Sequence, residues 1–69
     1  MNYSIEQEQE SDGRWIAEVP ELPGVMAYGL SWEEATVKAE VLALRVIAER
    51  LENNESQPVS INISVPNAA

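Results

Sequence analysis

From Ser31 to Asn54 the chain contains neither glycine nor proline, whereas all three glycines and two of the four prolines fall between Gly13 and Gly29. That segregation predicts one long helix preceded by a short, sharply turning β region. Ser31-Trp32-Glu33-Glu34 has the form of a capping box: the serine hydroxyl caps the first turn, and a glutamate three positions on bonds back. Both acids also suit the positive end of a helix. Residues Trp32 to about Glu52 are compatible with helix throughout, and Asn53-Asn54 offers a left-handed stop. At 100° per residue, Trp32, Ala35, Ala39, Leu42, Ala43, Val46 and Ile47 form one apolar arc. Val37, Val41, Leu44, Ala48 and Leu51 form a second, roughly opposite, spaced four, three, four, three as in a coiled-coil seam.

Before the helix the period changes to two. Tyr3, Ile5, Gln7 and Gln9 share one side of an extended stretch, and Ser4, Glu6, Glu8 and Glu10 share the other, so the first strand is half-buried with an acidic outer face. Trp15, Ala17 and Val19 line one face of the second strand. A two-residue Asp12-Gly13 loop would set Trp15 among the glutamates of the first strand. A three-residue loop, Ser11 to Gly13, instead pairs Gln9 with Trp15, Gln7 with Ala17 and Ile5 with Val19, keeping one face apolar. That register sets Glu6 opposite Glu18 and Glu10 opposite Arg14. Pro20 stops the second strand, and Pro23-Gly24 fits the centre of a type II turn. Val25 to Tyr28 is a short third strand closed by Gly29. Val59 to Val65 alternates again as a fourth, and residues 66–69 read as a frayed tail. Residues 1–69 therefore read as a single α+β domain, a two-layer sandwich of order β-β-β-α-β with one helix on one face of a four-stranded sheet. The last strand is expected to lie parallel beside the first.

A 69-residue chain is near the lower size limit for independent folding, with a core worth roughly 3–5 kcal/mol of net stability. Without cysteine or histidine it has no disulfides and no ligands for zinc or iron–sulfur sites. Association is the remaining stabilising device. An uncovered second helix arc would also be a large apolar patch, which soluble monomers seldom tolerate. Val37, Val41, Leu44, Ala48 and Leu51 are therefore the candidate homo-oligomer interface. The competing reading has strands, loops or the tail fold over this arc.

Twelve acids against four bases give a formal charge of −8. Direct nucleic-acid binding needs the opposite sign, whereas a basic protein partner would associate faster with such a surface; excess acid also serves solubility alone. No apolar run approaches the ~20 residues that span a bilayer, and the N-terminus has no secretory-signal pattern, so the expected setting is cytoplasmic and away from membranes.

Catalysis is not expected. Without histidine the serines have no general base, and Gly24 and Gly29 are too sparse for a phosphate-binding loop. The element order resembles half of a ribonuclease H fold, whose carboxylates hold magnesium. Asp12 is the only aspartate, though, and belongs to the hairpin turn, and the last strand carries no acid. No cofactor or metal site is expected.

The run DGRWIAEVPELPGVMAYGLSWEEA, residues 12–35, resembles the HicB-like antitoxin family. Asp12-Gly13, Trp15, Pro20, Leu22-Pro23-Gly24, Gly29, Ser31 and Glu33-Glu34-Ala35 fall on its pattern of turn, aromatic strand, Pro-x-Leu-Pro-Gly corner, glycine and capped helix. The resemblance implies a partial ribonuclease H-like fold. It also implies neutralisation of a HicA-type toxin, a small basic ribonuclease with a double-stranded-RNA-binding-like fold and one catalytic histidine that the antitoxin buries. The family's C-terminal DNA-binding element has no counterpart after the fourth strand, so autorepression is not expected. Leu30 departs from the commoner acid before the cap, and Val37, Val41 and Leu44 stand where many relatives are more polar. Glu6, Glu8 and Glu18 on the acidic strand face, with Glu21 and Leu22 at the expected exposed tip of the corner, are the candidate partner contacts. The alternative is a stand-alone homo-oligomeric domain without a toxin.

Overall fold

In the computed structural model, which describes residues 2–54 and 61–65, the chain runs β1 (Asn2–Ser4), β2 (Glu6–Gln9), β3 (Trp15–Glu18), β4 (Met26–Gly29), α1 (Trp32–Asn54) and β5 (Asn62–Ser64). It is a small α+β domain with one helix. β2, β3 and β4 form an antiparallel three-stranded sheet, and β1 pairs with β5 in a separate parallel two-stranded sheet. The parallel pairing of the last strand with the first follows the expectation, but the single four-stranded sheet does not. Val59, Ser60 and the expected frayed tail lie outside the described residues.

The expected first strand is interrupted at Ile5, where its pairing partner changes. Its ladder with β3 would continue from Glu6↔Glu18 to Ser4 opposite Pro20, and proline has no N–H to give. The Ser4 carbonyl would thus find no donor at Pro20, and the Ser4 backbone N–H (3.2 Å) and hydroxyl (2.9 Å) turn to the Glu21 carboxylate. On the opposite edge the Ile5 N–H donates to the Ser64 carbonyl at 3.1 Å. β5 thus takes up the strand where β3 leaves it.

The hairpin has the expected three-residue loop. Gln9 stands opposite Trp15 and Gln7 opposite Ala17. The Glu10 N–H donates to the Arg14 carbonyl at 2.7 Å, and the Gly13 N–H to the Glu10 carbonyl at 3.0 Å. Arg14 does not use its side chain on Glu10: its Nε lies 2.8 Å from Asp12 Oδ2. Beyond β3, the Leu22 N–H bonds the Val19 carbonyl and the Val25 N–H bonds the Leu22 carbonyl, both at 3.0 Å. The second of these turns has Pro23-Gly24 at its centre and Gly24 at φ 87°, the left-handed value a type II turn demands of its third residue.

Overlapping turns fold the corner back on itself, and this corrects the expected exposure of Leu22. It is the shared residue of the two turns and is 1% exposed, among the largest fully buried side chains with Ile5 and Val19. An exposed tip would have needed one wide loop, and the chain makes two tight ones.

The helix begins as expected, with the Glu34 N–H donating to Ser31 Oγ at 3.1 Å. The Glu34 carboxylate reaches one residue further back than a capping box requires and accepts the Leu30 N–H at 3.0 Å. Asn53 and Asn54 do not form the expected left-handed stop: both belong to α1, and no described non-glycine residue has positive φ.

The buried row on α1 is Ala35, Ala39, Ala43 and Ile47, with Thr36 beside it. Steps of four advance only about 40° around a helix, so this row slants across the helix axis. It therefore ends on Leu51, which packs against the core, and it leaves Leu42 exposed. Both placements differ from the two-arc expectation, which held each stripe parallel to the axis. Gln7 and Thr36 satisfy one another between strand and helix, the amide Nε2 donating to Oγ1.

Three small residues and a glycine set the distance between layers. A Cβ on Gly29 would lie 2.5 Å from the Ala35 backbone nitrogen and 3.0 Å from Glu34 Cβ. Gly29→Ala must therefore push the helix start off β4. The expected cost is about 1–3 kcal/mol, as for other overpacked positions, read as a lower urea midpoint with unchanged slope. An unchanged midpoint would show that the helix start yields freely.

Candidate interaction surfaces

One helix covers one face of the three-stranded sheet, so the side chains pointing the other way face solvent. Strand alternation puts Glu6, Glu18 and Met26 in one cross-strand row and Glu8, Ile16 and Tyr28 in the next. Glu6, Glu8 and Glu18 are exposed, Met26 and Tyr28 are each 43% exposed, and Ile16 is half-buried. The face grades from acidic on β2 to apolar on β4. Glu6 and Glu18 stand directly opposite one another, an arrangement that disfavours folding slightly through like-charge repulsion.

Arg14, the cation next to β3, is engaged with other groups. Its guanidinium lies 4.8 Å over the Tyr28 ring, and Asp12 accepts both its backbone N–H at 3.0 Å and its Nε–H at 2.8 Å. The hydrogen bond from the Arg14 backbone, then that side chain, holds the Asp12 carboxyl below its ordinary range. The glutamates of the outer face are thus left uncompensated by Arg14.

Of the remaining expected partner contacts, Glu21 is exposed, but its carboxylate is committed to Ser4, and Leu22 is inside the core. The corner is a structural device. Only the sheet glutamates lie together on an open surface.

On the back of α1, Val37 is 56% exposed and Leu44 51%. Val41 and Ala48 are exposed as well, whereas Leu51 turns into the core. Val37 and Val41 join Lys38, Leu42 and Ala27 of β4 around a shallow groove of about 350 Å³ between the helix and the free edge of the sheet. Met26, Ala27 and Tyr28 are additions to the expected interface, and Leu42 joins it from the arc expected to face the sheet. The available signal was the third strand itself, apolar at consecutive positions Val25, Met26, Ala27 and Tyr28 and hence apolar on both sheet faces.

Among the described residues no three acidic side chains come together as a metal cage would need, and no described helix is long and apolar enough to cross a membrane. No family model, curated protein or solved structure matches the chain.

The Glu21 clasp predicts a pH dependence. Hydrogen bonds from the backbone N–H groups of Glu21 and Ser4, and from the Ser4 hydroxyl, lower the Glu21 pKa from its ordinary 4.5. The carboxylate's contribution to stability is therefore complete above pH 4.5 and is lost as pH falls through the lower folded-state value. Glu21→Gln keeps the shape without the charge. Thermal melts should show wild type ahead of this variant at neutral pH, with the gap closing below pH 4.5. A gap independent of pH would rule out the charged clasp.

Proposed function

We propose that this chain is a HicB-like antitoxin-type protein with a partial ribonuclease H-like fold. In this reading it is a non-enzymatic, homo-oligomeric cytoplasmic module that neutralises a small basic HicA-type ribonuclease by protein–protein binding. The observation that carries the reading is the outer sheet face. Glu6, Glu8 and Glu18 lie exposed on adjacent strands, whose spacing is about 4.8 Å, and Arg14 pairs with Asp12 and lies over Tyr28. A basic protein meets such a face with complementary charge, which accelerates encounter and suppresses wrong partners. The residues of the HicB-like pattern support the fold half of the reading, because Gly13, Pro20, Pro23, Gly24, Gly29 and Ser31 each occupy a turn, strand end, close approach or cap.

The test uses a small basic ribonuclease encoded beside this chain. Wild type should inhibit its cleavage of a labelled RNA. Combined Glu6→Lys, Glu8→Lys and Glu18→Lys substitution should slow association at least about tenfold, and added salt should slow wild type similarly. No inhibition by wild type would overturn the antitoxin reading. Full-speed inhibition by the charge-reversed protein would remove the acidic face from it.

A second reading, a stand-alone homo-oligomer with no toxin, is favoured by one observation: the exposed apolar flank of α1 and β4. In that case self-association persists and no adjacent ribonuclease is inhibited.

A further inference from the structure

The free edge of β4 has a hydrogen-bonding pattern that complements itself. The Val19 N–H donates to the Val25 carbonyl at 3.0 Å, so Val25 and, by alternation, Ala27 and Gly29 direct their backbone groups inward to β3. Met26 and Tyr28 consequently direct their N–H and C=O groups out of the sheet. The run is short at both ends. Val25 follows directly on the turn centred at Pro23-Gly24, and the Leu30 N–H is already taken by the Glu34 carboxylate at 3.0 Å. Two outward residues separated by one inward residue match their own antiparallel copy. A long extended peptide would meet a closed ladder after those two positions.

Apolar side chains stand on both sides of this edge, with Lys38 the one charged residue lining the groove on the helix side. Nine large apolar side chains are exposed among the described residues, and five of them flank the edge: Met26 and Tyr28 on the outer face, Val37, Val41 and Leu42 on the helix side. An unprotected edge with apolar flanks invites strand pairing, which proteins otherwise block with charge, proline or cover.

We propose that a second copy of this chain docks here, with the two β4 strands pairing antiparallel about a two-fold axis through Ala27. The proposal rests on the homo-oligomeric part of the function proposed above and specifies its geometry. Met26 exchanges both backbone hydrogen bonds with Tyr28 of the second copy, and the reverse, giving four bonds and one continuous six-stranded sheet. Met26 and Tyr28 side chains then meet across the outer face, a favourable thioether–aromatic contact. Ala27 meets Ala27 of the second copy as a non-hydrogen-bonded pair, the close type, and its small side chain leaves the groove open for the opposing helix.

The helices agree with this register. The helix residues that share the groove with Ala27 are Val37, Lys38, Val41 and Leu42, centred in sequence between positions 39 and 40. An axis through Ala27 therefore sets Val37 against Leu42 of the second copy, Lys38 against Val41, and Glu34 against Arg45. Val37 and Leu42 meet as an apolar pair, the Lys38 stem lies along Val41 with its ammonium 3.6 Å from Glu34 of its own helix, and the outermost pair is of opposite charge. Isologous contacts of this kind close on themselves and stop at two subunits.

The chain has no cysteine, so one introduced thiol reports on one position. Close non-hydrogen-bonded pairs have Cα atoms about 4.5 Å apart, within disulfide range, and Ala27→Cys should cross-link almost completely on mild oxidation. Light scattering of wild type should give twice the 7.6 kDa chain mass. Met26→Pro removes an outward N–H while sparing the inner ladder, as edge strands allow; it should weaken the dimer about tenfold or more through two lost bonds while keeping its helical circular dichroism. A doubled wild-type mass with Ala27→Cys remaining uncross-linked, or with folded Met26→Pro still fully dimeric, would overturn the β4 pairing and leave the homo-oligomer to the Leu44 face. If Met26→Pro fails to fold, Ala27→Cys alone decides. A wild type of 7.6 kDa at every concentration would overturn both the pairing and the homo-oligomeric reading, while ribonuclease inhibition, measured separately, would stand or fall by itself.

Discussion

The close approach of α1 to the sheet governs the rest of the molecule. Gly29 leaves no Cβ beneath the Ala35 nitrogen, and Ala35, Ala39 and Ala43 are fully buried. A helix seated on alanines contributes little apolar volume to the core. The bulk comes instead from Ile5, Val19 and Leu22, all below 2% exposure, with Ile47 and Leu51 added at the C-terminal end of the slanting row. The larger helix residues Val37, Val41 and Leu44 are correspondingly on the outside. In a chain of this size that division leaves less apolar surface buried than the sequence contains, which is the usual condition for a domain that completes its core by association.

The corner is bound to the same constraint. Pro20 ends β3 because it has no N–H to give the Ser4 carbonyl, and the Ser4 N–H and hydroxyl donate to the Glu21 carboxylate. The following turn carries Leu22 into the core. Each residue of Pro20-Glu21-Leu22-Pro23-Gly24 thus has a structural reason to be what it is: strand stop, acceptor for Ser4, core plug, turn proline and left-handed glycine. A pattern so fully used by folding identifies an architecture far better than a binding site, so the HicB-like resemblance bears on fold first and on partner only through the separate charge of the sheet face.

Local rules read the sequence well wherever one element decides its own conformation. The alternation from Tyr3, the three-residue hairpin loop, the Pro23-Gly24 turn and the Ser31 cap are such cases, and the structure has each of them. The departures come from interactions between elements. Ile5 reads as mid-strand because its own alternation is perfect; the break comes from Pro20, fifteen residues away, and from β5. Leu22 reads as exposed when its turn is considered alone and is buried because two turns overlap on it. Leu51 falls on the outer arc of a straight helix wheel but reaches the core because the buried row follows steps of four. The candidate surfaces divide in the same way. The acidic rows were legible from period-two spacing, whereas the apolar edge of β4 required knowing that none of the described strands covers it.

Charge and apolar surface are sorted across the outer face, and the sorting reconciles the two proposed contacts. Glutamates lie on β2 and at Glu18 of β3, while β4 carries Met26 and Tyr28. In a dimer paired through β4, the two β2 strands are five strand spacings apart, about 24 Å at the usual separation, well beyond the ~8 Å screening length at physiological salt. Two chains of charge −8 can thereby associate without bringing their most acidic strands together. Each acidic end also remains open, so self-association and capture of a basic partner do not compete for the same residues. Pairing through the opposite side of the sheet would bring the glutamates close to one another and bury them. The apolar edge is therefore the side on which this charge distribution permits growth.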